Sequence, residues 1–182
     1  ACGGDETAGE ATTLRLGCFP NVTHAPALVG IQEGFFAEAL GSDVELELSY
    51  FNAGPEAVES LFGEALDATF IGPNPAINAY AQSDGEAIRI IAGSTSGGAF
   101  LVVRPGIESG EDLAGATLAT PQLGNTQDVA LRAWLIEQGL SADTAGGGDV
   151  SIVPQSNADT LRAFQSGDID GPWVPEPCAN RL

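Results

Sequence analysis

The chain has no lysine and no methionine, one histidine, and six arginines set against 25 acidic residues over 182 positions. Each absence removes a class of chemistry. Without lysine there is no Schiff base to a carbonyl cofactor and no Gly-Lys phosphate loop. His24 has no second histidine or other partner base, and Cys2, Cys18 and Cys178 lie far apart. That leaves neither metal-ligand spacing nor a nucleophile–base pair. No Gly-x-Ser-x-Gly occurs, so the serine-hydrolase elbow is missing too. No run of 18 apolar residues is present, so no helix is predicted to cross a membrane. A net charge of −19 opposes nucleic acid, whose phosphates need clustered cations. The acidic residues are dispersed, which reads as a solvated, self-repelling surface. No cofactor and no metal are expected.

What the chain does have is a pattern carried twice. The first copy runs Leu14-Arg-Leu-Gly-Cys-Phe-Pro-Asn-Val-Thr-His24 and later Gly63-Glu-Ala-Leu-Asp67, then a short apolar strand and Gly72-Pro-Asn-Pro75. The second runs Thr117-Leu-Ala-Thr-Pro-Gln-Leu-Gly-Asn-Thr126 and later Gly167-Asp-Ile-Asp170, then Gly171-Pro-Trp-Val-Pro-Glu-Pro177. Strands alternate with helical stretches throughout, which argues for parallel α/β units. A chain of this length can bury a core in two small lobes.

The spacing predicts strands over 13–19, 44–50, 68–71, 87–92, 99–103, 116–120, 151–154 and 169–174. It predicts one helix over 25–40 with Leu28, Ile31, Phe35 and Phe36 inward, and one from Gly54-Pro55 with Val58, Leu61 and Phe62 inward. Further helices are expected over 73–82, over 125–138 with Val129, Ala133 and Ile136 inward, over 157–166, and from Pro175 onward. Asn125 is placed to cap its helix and Asp128 to put an acid in the first turn. Glu111–Leu113 reads as a short helix, and Gly146-Gly-Gly148 as a flexible loop.

Ligands of open α/β sheets sit beyond the carboxyl ends of strands. Helix N-termini there expose unpaired N–H groups with partial positive charge, a ready site for an anion. Applied to this chain, the rule selects Asn21, Thr23 and His24 after the first strand, and Asn74 in the Gly72–Pro75 turn. It adds Ser96 and Gly97 at the crossover; Gln122, Gly124, Asn125 and Thr126 in the second copy; and Trp173 and Glu176 near the end. Each has a plainer alternative. The asparagines and threonines serve equally as caps, His24 as a structural histidine and Trp173 as core. Glu176 fits an anion site poorly; it pairs with an arginine or meets the amine of a zwitterionic ligand.

The segments Leu16-Gly-Cys-Phe-Pro-Asn21, Ala27-Leu-Val-Gly-Ile-Gln-Glu-Gly-Phe-Phe36, Phe70-Ile-Gly-Pro-Asn-Pro-Ala76, Asp112-Leu-Ala-Gly-Ala-Thr-Leu-Ala-Thr-Pro121 and Asp170-Gly-Pro-Trp-Val-Pro-Glu-Pro177 resemble ABC-transporter substrate-binding proteins for nitrate, sulfonate and bicarbonate, nearest the aliphatic-sulfonate (taurine) type. The resemblance implies an α/β, two-lobe periplasmic-binding-protein fold of the second type. In that fold the chain should return to the first lobe, so the resemblance implies a fold truncated at the C-terminus. The expected organisation is a tether at 1–12, a first lobe at 13–97 left incomplete, and a second lobe at 98–182 without its return crossover. The implied function is extracytoplasmic capture of a small anion such as a sulfonate or nitrate, by a monomer, for delivery to the membrane permease of an importer. Ala1-Cys2 resembles the end of a lipoprotein signal, which makes Cys2 the lipid anchor and the membrane a partner only through it. The family usually has aromatic residues where Cys18 and Cys178 stand. Two buried free thiols are expected there, a disulfide being the alternative. The other activity the resemblance admits is that of enzymes of thiamine-pyrimidine synthesis, which attach pyridoxal phosphate to a lysine that this chain lacks.

Overall fold

The computed structural model describes residues 12–182. Cys2 and the tether up to residue 11 lie outside the described residues; Thr12 already belongs to the first strand.

The strands sort into two sheets. In the first, β1 (Thr12–Cys18) lies between β2 (Val44–Tyr50) and β3 (Ala68–Thr69), all parallel, with Thr12 opposite Val44 and Cys18 opposite Tyr50. Around it run α1 (Ala25–Gln32), α2 (Phe35–Leu40), α3 (Gly54–Phe62) and α4 (Pro73–Gln82). In the second sheet the order is β4 (Ala99–Leu101), β7 (Gly171–Pro175), β5 (Thr117–Thr120), β6 (Ser151–Pro154). β5 is parallel to both neighbours and β4 antiparallel to β7. Helices α5 (Thr126–Glu137) and α6 (Asn157–Ser166) complete this half.

The repeated Asp is a backbone device. Asp67 N–H donates to the Arg15 carbonyl at 2.9 Å, while Arg15 N–H donates to Asp67 Oδ2 at 2.8 Å. Asp170 does the same with Thr117, at 2.8 Å both ways. Each aspartate thereby fixes the strand it enters to an interior strand of its own sheet, β1 at Arg15 and β5 at Thr117.

Several expectations are corrected. The helix over 25–40 is two helices, because Gly34 takes φ +75, a left-handed conformation that ends α1. Phe35 then faces solvent, as does Phe62 at the end of α3. The strand over 87–92 does not form, and Ile90 and Ile91 are 76% and 90% exposed. No described strand runs beside that segment, and an apolar run makes a strand only with a ladder partner for its N–H and C=O groups. In α5 the buried face is Leu131 and Leu135, not Val129, Ala133 and Ile136. Both sets recur at helical spacing, and the bulkier leucines gain more from burial. Pro175 closes β7 rather than opening a helix; only a 3-10 turn, Ala179–Arg181, follows.

The core of the second half is built from Leu113, Leu118, Leu131, Leu135 and Val150, each at most 1% exposed. Arg104 closes its far side, donating from Nε to the Ile169 carbonyl at 3.1 Å and lying 4.6 Å from the Phe164 ring centre.

Candidate ligand-binding cleft

The carboxyl ends of β1, β2 and β3 face those of β5 and β7 across a cavity of about 450 Å³. Among the described residues no charged side chain lines it. None of the six arginines is among its lining residues, although the chain carries −19 overall. What lines it is amide, hydroxyl, imidazole, aromatic ring and bare backbone.

The β1 end is organised by local capping. Asn21 Oδ1 accepts from Thr23 N–H at 3.1 Å and from Thr23 Oγ1 at 2.6 Å. His24 Nδ1 accepts the Phe19 N–H at 3.2 Å, which leaves the ring proton on Nε2. The imidazole lies 4.2 Å from the Phe19 ring and is 7% exposed. Burial pushes its pKa down to about 4. His24 is therefore a neutral N–H donor at physiological pH, on the same turn that Asn21 caps.

The β5 end is built differently. Asn125 caps α5, accepting from Asp128 N–H at 2.8 Å. Asp128 is 1% exposed and is bound by Arg132 Nη2 at 3.0 Å, Arg132 Nε at 3.1 Å, Thr120 Oγ1 at 3.2 Å and Gly124 N–H at 2.9 Å. A buried ion pair thus anchors the turn, and the Thr126 and Gln127 N–H groups have no partner among the described residues. Helix α4 offers less. Its N-cap is Gly72, and Pro73 and Pro75 remove two of the N–H groups that a first turn usually presents.

Of the twelve residues selected from sequence, Asn21, Thr23, His24, Ser96, Gly97, Asn125, Thr126 and Trp173 line the cavity. Asn74, Gln122, Gly124 and Glu176 are not among its lining residues. Gly124 serves the Asp128 network. Glu176 Oε2 accepts from Asn180 N–H at 3.1 Å, so its carboxylate is engaged with the segment that follows it. Sequence reasoning missed Asn52, Ala53 and Gly54, which line the cavity just past β2. The carboxyl-end rule would have found them had it been applied to that strand.

Cys18 and Cys178 are free thiols, both pushed up in pKa by burial. Cys178 lines a second cavity of about 430 Å³, which shares Asn21 and Asn52 with the cleft. Among the described residues no group of three or more His, Cys, Asp or Glu side chains could hold a metal, and no helix is long and apolar enough to cross a membrane.

The sequence model of the NMT1-like family matches residues 7–182. The chain belongs to that family. This NMT1-like protein is 29% identical over 160 residues to the taurine-binding periplasmic protein of Escherichia coli (strain K12), covering 86% of this chain and 47% of that one. Its fold matches the alkanesulfonate-binding protein SsuA from Xanthomonas axonopodis pv. citri bound to MOPS, with a TM-score of 0.69 and 22% identity over 93% of this chain and 56% of that one. It also matches the periplasmic nitrate-binding protein NrtA from Synechocystis PCC 6803, with a TM-score of 0.63 and 18% identity over 92% of this chain and 48% of that one. The chain thus spans about half the length of these relatives. The family resemblance and the periplasmic-binding-protein fold read from sequence are both borne out. By name these relatives are binding proteins, not enzymes, in keeping with a reading that needs no catalysis.

Proposed function

We propose that this NMT1-like protein is the solute-binding part of an ABC importer. It captures a small sulfonate or related oxyanion in the cleft between two lobes and presents it to the permease outside the cytoplasm. The observation that carries the reading is a cleft lined from both sheets by neutral donors, with no charged side chain in it among the described residues. A ligand of fixed charge from a strong acid needs no proton transfer and no countercharge. It needs convergent N–H and O–H groups. The Thr126 and Gln127 amides, the Ser96 hydroxyl and the His24 imidazole supply them, while the Thr23 hydroxyl is spent on Asn21 Oδ1. Phe19, Phe70 and Trp173 supply an apolar wall for the organic part of the ligand. The named relatives support this ligand class: one is a taurine-binding protein and another an alkanesulfonate-binding protein bound to MOPS.

The net charge repels an anion at long range, yet screening confines that repulsion to about 8 Å at physiological salt. Each donor placed on a charged group contributes about 1.5–3 kcal/mol at contact. In this reading residues 13–97 and 98–182 are the two lobes, they close by a hinge at the crossover, the protein works as a monomer, and Cys2 carries the lipid anchor. The test is calorimetric titration of the full-length protein with taurine, methanesulfonate, nitrate and acetate. Binding of at least one sulfonate or nitrate, with acetate weaker, is the expected result. Heat from none of them would remove the oxyanion reading.

A further inference from the structure

We infer that Asn52 is the latch that holds the cleft shut. The inference rests on the ligand-capture reading above. Among the described residues, only two side-chain hydrogen bonds join the chain before Gly98 to the chain after it, and Asn52 makes both. Its Nδ2 donates to the Pro121 carbonyl at 3.1 Å, just past β5, and its Oδ1 accepts the Asn157 N–H at 3.5 Å, at the start of α6. Its own N–H donates to Glu56 Oε2 at 3.2 Å, which fixes the latch to the first turn of α3. One amide, held by a helix of the first half, therefore spans to the ends of two adjacent strands of the second.

Two further observations concern the same junction. At Gly72 a Cβ would lie 2.1 Å from Thr126 Oγ1, so the halves meet there at a distance only glycine permits. Next to the groups that Asn52 binds, Gln122 Oε1, Gln155 Nε2 and Asn157 Oδ1 are buried without partners. A buried amide group without a partner is unfavourable, and opening the cleft returns such groups to water. Asn52 offsets that cost. The balance leaves the closed form marginal without ligand, so that ligand contacts decide it.

The latch engages after a ligand has entered, so its loss should appear in escape rather than capture. Stopped-flow tryptophan fluorescence of the full chain, in which Trp173 lines the cleft and Trp134 does not, measures both rates with taurine, methanesulfonate and nitrate as probes. Asn52→Ala is expected to raise the dissociation rate about five- to tenfold, the worth of one or two net hydrogen bonds, with association changed less than about threefold. Asn52→Asp keeps the acceptor for Asn157 but loses the donor and sets a carboxylate against the Pro121 carbonyl, so it too should speed escape, and it carries the test should Asn52→Ala not fold. Gly72→Ala should speed escape with Asn52 intact, by holding the halves apart. An unchanged dissociation rate in both Asn52 variants, or a loss confined to association, would overturn the latch. If the parent binds none of the probes, the capture reading fails, and small-angle scattering of the ligand-free proteins then judges the latch alone. Asn52→Ala should scatter as a more open particle; superimposable profiles overturn it.

Discussion

The two halves of this protein share one backbone device and differ in almost everything packed on it. Asp67 and Asp170 clamp their strands in the same reciprocal way. Above the second clamp, large leucines are fully buried; around the first, the fully buried side chains are small, among them Ala27, Ala57 and Ala79. Ile77, Tyr80, Ile90 and Ile91 of the first half are more than half exposed. The ion pairs differ likewise. Arg15–Asp67 is open to solvent, whereas Arg132–Asp128 is buried beneath a turn of the cleft. Like topology does not entail like stability, because the clamp sets strand order while burial sets free energy. The second half offers donors on a turn anchored by a buried ion pair. The first offers them on capped turns, with Asn52 reaching across.

The largest expected effect breaks this comparison at its ion pairs. Asp128→Ala leaves the Arg132 charge and the Thr120 hydroxyl without their buried acceptor. Loss of one partner from a buried pair typically costs about 3–5 kcal/mol. The urea midpoint of the full-length protein should fall accordingly. Asp67→Ala, at the solvent-exposed pair, should lower it much less. Equal falls in the two variants would mean that burial does not separate the halves.

The next effect concerns the one histidine. Burial lowers the His24 pKa from 6.5 to about 4. The unfolded chain therefore binds a proton before the folded one does. Stability is full above about pH 6.5 and is lost as pH falls toward 4, by about 2 kcal/mol at pH 5. Asp67 is held down to about 2 by Arg15, so the stability it contributes is lost as pH falls from about 3.8 toward 2, outside this window. The urea midpoint of the parent should drop between pH 7 and pH 5 more steeply than that of His24→Gln. Parallel profiles would show that His24 does not titrate as a buried neutral group.

The same contrast explains what was legible beforehand. Elements bounded by strong punctuation, such as α3 behind Gly54-Pro55 and α6 ahead of Gly167, follow from local rules. The segment over 87–92 was misread because pairing is a property of neighbours, and β-rich composition cannot supply one. The inner face of α5 was misread because two apolar stripes coexist on it, and only the buried Asp128–Arg132 pair and the leucine core select between them. One rule about strand ends selected eight of the residues that line the cavity. The rule cannot tell a turn residue facing the cavity from one, such as Gly124 or Glu176, whose hydrogen bonds support its own loop.

The smallest expected effect sharpens the comparison at the two helix N-termini. α5 begins with Asn125, Thr126 and Gln127 on the cavity wall, and its first-turn N–H groups are available. α4 begins with Pro73-Asn74-Pro75; the prolines have no N–H to give, and Asn74 is not among the lining residues. Asn125→Ala should therefore weaken binding of whichever of taurine, methanesulfonate or nitrate the parent binds by about tenfold, equivalent to about 1.4 kcal/mol. It should also destabilise the protein by about 1 kcal/mol through loss of the cap, a change read separately from the ligand-free melt. Asn74→Ala should leave affinity within about twofold, since it removes no donor from the cleft. Titration of both variants beside the parent decides the matter. A weakening by Asn74→Ala as large as that by Asn125→Ala would place the anion at α4 after all, and the difference drawn here between the two helix ends would be wrong.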